Sequence, residues 1–172
     1  MYKYNISKYN PVFRNCDGRY LKEDWTAISD IGKVFDGIEL MVEDYIKIEN
    51  AYIKAIEIIM DYIELSSLKV CDVRKSFEFD MFNEIISNRK VIYTDDILET
   101  YKCAEKIKTL NLGEVDLFCR LMLREDIGAK VFYPRKLKVF ICYDYLMGIN
   151  CSKSIEKIIP QIENLGLYVE KC

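Results

Sequence analysis

Glu49, Asp144 and the run Asp95-Asp96-Ile97-Leu98-Glu99 are the side chains of this 172-residue chain whose type and spacing could do chemistry, and the chain has no histidine to assist them. Histidine titrates nearest neutral pH and is the commonest general base and metal ligand. Its absence excludes a Ser-His or Cys-His relay and any histidine-ligated metal. Glu49 is the sharpest of the three. On a helical wheel it falls between Ile56 and Met60, inside an apolar sector. A carboxylate buried there must be paired, hydrogen-bonded or neutral. It reads as a general base or an anchor for a partner's arginine. The favoured alternative is an internal pair with Arg14, Arg120 or Arg124, or with tyrosine hydroxyls, since structural ion pairs also use such positions.

The other candidates are weaker. Asp95, Asp96 and Glu99 resemble a Mg²⁺ cluster, but acids at a helix N-terminus are what capping and the helix dipole call for. Cys71 or Cys142 as a nucleophile lacks a histidine to activate it. The seven cysteines have no Cys-x-x-Cys spacing, so zinc is not expected, and the isolated glycines make no phosphate-cradling loop. No cofactor, metal or small-molecule substrate is anticipated. In Val139–Gly148 a strand runs into Tyr143-Asp144-Tyr145, where Asp144 could meet a cationic ligand and Tyr145 a partner surface. The other reading is a core strand with an ordinary hairpin end. Trp25, between Asp24 and Thr26, carries the same two readings.

Charge is uneven. Segment 17–64 holds twelve acids against five bases, in a chain whose net charge is −3. A solvated helix face and a polar loop explain most such runs. The functional reading is a surface that repels nucleic acid and attracts a cationic protein. Its expected contact residues are Asp24, Trp25, Asp30, Asp36 and Glu39, with Asp144 and Tyr145.

The elements that must position these side chains are partly legible. Apolar residues make up 51% of the chain, enough for a full core, and the scarcity of Pro and Gly leaves no linker, so one domain over 1–172 is expected. Tyr2, Tyr4 and Ile6 alternate as a strand that stops at Asn10-Pro11, and 16–36 reads as loop. In Val42–Leu65 the polar residues Glu43, Lys47, Asn50, Lys54, Glu57, Asp61 and Glu64 step by four and three, which draws one narrow stripe down a long helix. Leu68–Val73 alternates as a strand. Asp80–Asn88 is a weaker helix, and Val91–Tyr93 a short extended piece. Thr94 or Asp95 caps a helix running to about Thr109, and another spans Leu112–Glu125 and stops at Gly128. Ala129–Tyr133 and Leu137–Tyr143 form a hairpin. Ser152 or Ser154 opens a last helix with Pro160 in its later turns, and Gly166–Glu170 closes as a strand. Helices and strands without regular alternation predict an α+β fold, with helices packed on a largely antiparallel sheet around the long helix.

Met1-Tyr2-Lys3-Tyr4-Asn5 lacks the apolar run of a secretory signal, and Lys54, Glu57, Asp61 and Glu64 interrupt the greasiest stretch. A cytoplasmic chain with reduced thiols and no membrane contact is the expectation.

Several runs together are similar to a known family: Tyr4–Arg14, Trp25–Gly32, Glu43–Tyr52, Leu121–Glu125 and Tyr143–Met147. In that order they resemble a bacterial family of small proteins linked to polymorphic toxin loci, similar to immunity proteins of contact-dependent growth inhibition systems. The resemblance reaches from the N-terminus to about Asn150 and includes no catalytic signature. Members often have a histidine in the strand before Tyr-Asp-Tyr, where this chain reads Phe140-Ile141-Cys142. The resemblance implies a binding protein rather than an enzyme, one that occludes the active site of a cognate toxin, such as a nuclease. The alternatives are a carboxylate-dependent hydrolase or transferase using Glu49, Asp144 or Asp95, and a regulatory module for a different protein partner.

Overall fold

The narrow polar stripe winds, as its spacing requires, into α1 (Val42–Tyr62), which buries Tyr45, Glu49, Tyr52, Ile56, Ile59 and Met60 on the opposite side. Glu43 and Asp44 stand in its first turn, where carboxylates favour the positive end of the helix dipole. The helix ends in a Schellman arrangement: Leu65 N–H reaches Met60 O at 2.9 Å and Glu64 N–H reaches Asp61 O at 3.0 Å. Glu64 occupies the left-handed position, φ 57°, that glycine usually fills.

The computed structural model describes residues 1–172. Around α1 the chain forms β1 (Tyr2–Ser7), β2 (Val34–Phe35), β3 (Ile38–Glu39), β4 (Ser67–Lys75), α2 (Phe79–Ile85), α3 (Asp95–Cys103), β5 (Thr109–Asn111), α4 (Leu112–Leu123), β6 (Ile127–Tyr133), β7 (Leu137–Ile141), β8 (Leu146–Cys151), α5 (Ile159–Glu163) and β9 (Tyr168–Lys171). Seven strands form one sheet in the order β5-β4-β6-β7-β8-β1-β9, each neighbouring pair antiparallel, and β2 pairs with β3 in a separate hairpin. This is an α+β fold.

Strand alternation sends Tyr4, Ile6, Leu68, Val70, Val131, Val139, Met147 and Ile149 to one face of the sheet. They join the apolar sides of α1 and α4 in one core of 43 buried residues. At α4, Asn111 accepts from Glu114 N–H while the Glu114 carboxylate accepts from Asn111 N–H, a reciprocal cap that fixes the helix start.

Several local expectations need correction. Gly128 does not end α4. Glu125 does, in the left-handed conformation (φ 63°), with Asp126 N–H on Leu121 O, and Gly128 lies in β6. The helix expected to run to about Thr109 ends at Cys103, and Thr109 instead opens the strand Thr109–Asn111, because pairing with Ser67–Lys69 supplies hydrogen bonds that a fraying helix end would lack. Val91–Tyr93 is a turn, held where Ile92 N–H meets Arg89 O and Ile92 O accepts from Arg124. Cys142–Tyr145 is the hairpin end that the alternative reading of Val139–Gly148 expects, and the chain beyond it, Leu146–Cys151, is a full strand between β7 and β1. Pro160 sits in the first turn of α5, where its missing N–H costs nothing, and Ser152–Ser154 is not helical.

Candidate functional site

Glu49 projects from the buried side of α1 and is 0% exposed. Arg124 grips it with both arms: Nε lies 2.7 Å from Oε1 and Nη2 2.7 Å from Oε2. Arg120, one turn earlier on α4, adds Nη1 to Oε2 at 2.8 Å and also engages Asp116. The remaining Arg124 arm donates to Ile92 O, and its guanidinium lies 4.6 Å over the Tyr93 ring. Three charge-assisted bonds leave Glu49 no free direction toward solvent, so it ties α1 to α4 and is not placed to move a substrate proton. Beside this cluster, Tyr93 donates to Asp126 at 2.8 Å, and burial pushes the Asp126 carboxyl up to about 7.

The aromatic residues expected at a partner surface form an internal box instead. Trp25 is 8% exposed and Tyr145 2%. Their rings lie 5.0 Å apart, with Tyr45 5.3 Å from Trp25 and Tyr52 5.5 Å from Tyr145. Tyr145 donates to the Tyr45 hydroxyl, while Tyr52 donates to Tyr145 O at 2.5 Å and accepts from Lys8 N–H at 2.7 Å. Residues 25, 45 and 145 cover one another's apolar surface, so neither Trp25 nor Tyr145 is available as an anchor in the folded chain.

Lys8 closes the box from below. Its ammonium is ion-paired with Asp24 Oδ1 at 2.8 Å and lies 4.1 Å over Trp25 and 4.2 Å over Tyr9. The side chain is almost wholly buried, which pulls the Lys8 pKa down despite the attraction of Asp24. Asp24 is thus committed to Lys8 and to Trp25 N–H, and Asp30 to Thr26 N–H, Ala27 N–H and Lys33. Both are loop staples rather than free contact residues. Asp144 is exposed, and it and Tyr145 are consecutive non-glycine residues with positive φ, 59° and 56°. Such conformations persist only where surrounding contacts over-determine them, here through the Tyr45 and Tyr52 bonds. Asp24 and Asp144 line opposite parts of an open cleft of about 640 Å³ between the segment 10–26 and β1–β8, with Tyr9, Arg14, Tyr20 and Lys22.

Asp36 and Glu39 belong to a different surface. The dipeptide Asp36-Gly37, with φ 50° and 80°, makes the tight turn that joins β2 to β3. Asp-Gly is a hairpin signal legible in the sequence, and it corrects the end of the loop expected over 16–36, where Val34–Phe35 is strand. Leu40 N–H on Lys33 O and Gly32 N–H on Leu40 O extend the ladder, and buried Leu40 anchors it. By register Ile38 shares a face with Phe35 and Leu40 while Val34 stands with Glu39 on the opposite one, and both are well exposed, Ile38 at 72% and Val34 at 63%. Met41 leads from the hairpin into Val42, which opens a groove of about 820 Å³ between α1 and α4. Val42, Ile46, Val91, Leu112 and Leu117 supply its apolar lining, and Val91 is 80% exposed. Glu43 lines the groove as well, while Glu39, Asp44 and Asp36 stand exposed nearby in the chain.

No three acidic or thiol side chains converge in a metal-ligating arrangement; Asp95 and Asp96 stand in the first turn of α3, and Glu99 lies one turn on, 3.3 Å from the Cys103 thiol. No helix is long and apolar enough to cross a membrane. No protein-family model, curated protein or solved structure matches this chain.

Proposed function

We propose that this protein is an immunity-type inhibitor that binds a cognate toxin domain, such as a nuclease, and covers its active site. The observation that carries the reading is the set of exposed apolar side chains on the β2–β3 hairpin and beside the α1–α4 groove, Ile38, Met41 and Val91, with Val34 on the hairpin's other face and the exposed acids Asp36, Glu39 and Glu43 close by. Exposed apolar groups bordered by charge are the usual make-up of a docking surface, and carboxylates there steer a cationic partner and raise its association rate. The candidate catalytic groups give enzyme chemistry less support, since Glu49 is consumed by internal ion pairs. The unpaired state of all seven cysteines suits a reducing compartment such as the cytoplasm. A regulatory partner other than a toxin would use the same surface. The enzyme reading keeps only the cleft beside Asp144.

The test uses the toxin domain encoded beside this gene. The wild-type chain is expected to bind it one to one and to protect cells that express it. Ile38→Asp places a charge at the centre of the contact and is expected to cost at least about 2 kcal/mol, roughly 30-fold in Kd, with thermal stability unchanged. Full protection by a folded Ile38→Asp, Asp36→Lys, Glu39→Lys variant would remove this surface from consideration.

A further inference from the structure

The helices cover one face of the seven-stranded sheet, and the opposite face of its central strands lies open. Register places the outward residues in rows. Lys69 of β4 lies beside Phe132 of β6, Phe132 beside Lys138 of β7, Lys138 beside Asn150 of β8, and Asn150 beside Lys3 of β1. Neighbouring strands are about 4.8 Å apart, so lysines recur about every 10 Å with a ring or an amide between them. Two residues further along the strands lie Lys130, beside Cys71, and Phe140, beside Gly148, which in turn neighbours Asn5. A bulge in β4 keeps Arg74 opposite Gly128 and therefore on this same face. Lys3, Lys69, Arg74, Lys130 and Lys138 are all exposed. The carboxylate of Asp72, at the bulge, is engaged by Lys130 at 2.5 Å, and that of Glu170, opposite Asn5, by Arg14 at 2.5 Å. Lys3, Lys69, Arg74 and Lys138 are left as uncompensated positive charges.

Phe140 is 41% exposed, and its Cγ and Cδ2 come within 4.0 and 3.6 Å of the point a Cβ on Gly148 would occupy. The ring thus lies alongside β8, in van der Waals range of Gly148, and stays partly open to solvent. A basic antiparallel surface with one exposed and one half-buried ring, Phe140 and Phe132, suits a strand whose phosphates meet lysines while its bases stack.

We propose that this open face binds single-stranded nucleic acid, with Lys3, Lys69, Arg74 and Lys138 on phosphates and Phe140 under a base. The sequence-based expectation of no nucleic-acid partner rested on the acidic 17–64 segment. Strand alternation sets an opposite charge apart on the sheet. An acidic protein would meet the lysines but would have less use for a flat exposed phenyl ring, so nucleic acid is the better fit.

The proposal is independent of the toxin-binding reading. Fluorescence anisotropy of the full chain with labelled 12-mers of oligouridine and oligodeoxythymidine tests it. With about four phosphates neutralised, a log–log salt slope near −3 is expected, a loss of roughly 50-fold between 50 and 200 mM salt. Lys69→Glu with Lys138→Glu should weaken binding more than 10-fold at unchanged melting temperature. Phe140→Ala should weaken it about 5- to 150-fold with little change in salt slope. Ile38→Asp should leave it unaltered, and the lysine variant should still protect against the toxin, so the two readings fail separately. No binding at 50 mM salt overturns the proposal, as does indifference to the Lys69 and Lys138 changes. Equal affinity for polyglutamate overturns it in favour of an acidic protein partner.

Discussion

Replacing Glu49 with Gln removes one unit of negative charge from a site that two arginines share. The side chain keeps its shape, but one oxygen becomes an amide nitrogen that faces guanidinium N–H groups. Of the three charge-assisted bonds, at 2.7, 2.7 and 2.8 Å, at least one becomes a donor facing a donor. Arg124 is left nearly uncompensated, because its side chain is only 1% exposed and its other partner is the neutral Ile92 carbonyl. Breaking one partner of such a buried pair costs about 3–5 kcal/mol, a large share of the roughly 5–15 kcal/mol that domains possess. For a chain of this size that corresponds to a fall in Tm on the order of 6–20 °C. Denaturant unfolding followed by circular dichroism measures it directly. Arg120→Ala is the internal control and should cost less, since Arg120 is more exposed and Arg124 still compensates Glu49. A Glu49→Gln loss below about 1 kcal/mol would refute the claim that this carboxylate is the tie between α1 and α4.

Two further outcomes follow from the same structure. Burial raises the Asp126 carboxyl from its usual range to about 7, so the folded state holds a proton that the unfolded chain has released. This contribution to stability is complete below about pH 4 and is lost as pH rises through 7, at most about 4 kcal/mol. Asp126→Asn should therefore gain stability relative to wild type between pH 5 and pH 8 in urea titrations. A constant difference across that range would contradict the assignment. Glu64→Gly, which relieves a left-handed non-glycine C-cap, should raise stability by up to about 1 kcal/mol in the same assay, and a clear destabilisation would count against strain at that position.

What could be read from the chain was what depends on near neighbours. The stripe from Glu43 to Glu64 determines α1 because side chains three and four apart share a helix face, and the same wheel marks Glu49 as lying off the stripe. The β-branched and aromatic content of Ala129–Tyr133 and Leu137–Tyr143 marks the hairpin, whose strands run Ile127–Tyr133 and Leu137–Ile141. Asp36-Gly37 carried a second hairpin in two residues, and Asn111 with Glu114 a helix start. Short strands such as Thr109–Asn111 are too brief to show a period, and they exist because a distant strand completes their hydrogen bonds.

Tertiary structure alone decided what faces solvent. Trp25 and Tyr145 stand beside acids in sequence and looked suited to a surface, yet each is covered by rings from positions far along the chain. Which arginine meets Glu49 depended on α4 lying against α1, since ion pairing is set by distance in space. Charge behaved likewise. The net value of −3 is a sum along the chain, whereas a partner meets a surface. Pairing of strands far apart in sequence, β4 with β6 and β1 with β8, gathered lysines from positions 3, 69 and 138 onto one face that no local pattern could have revealed.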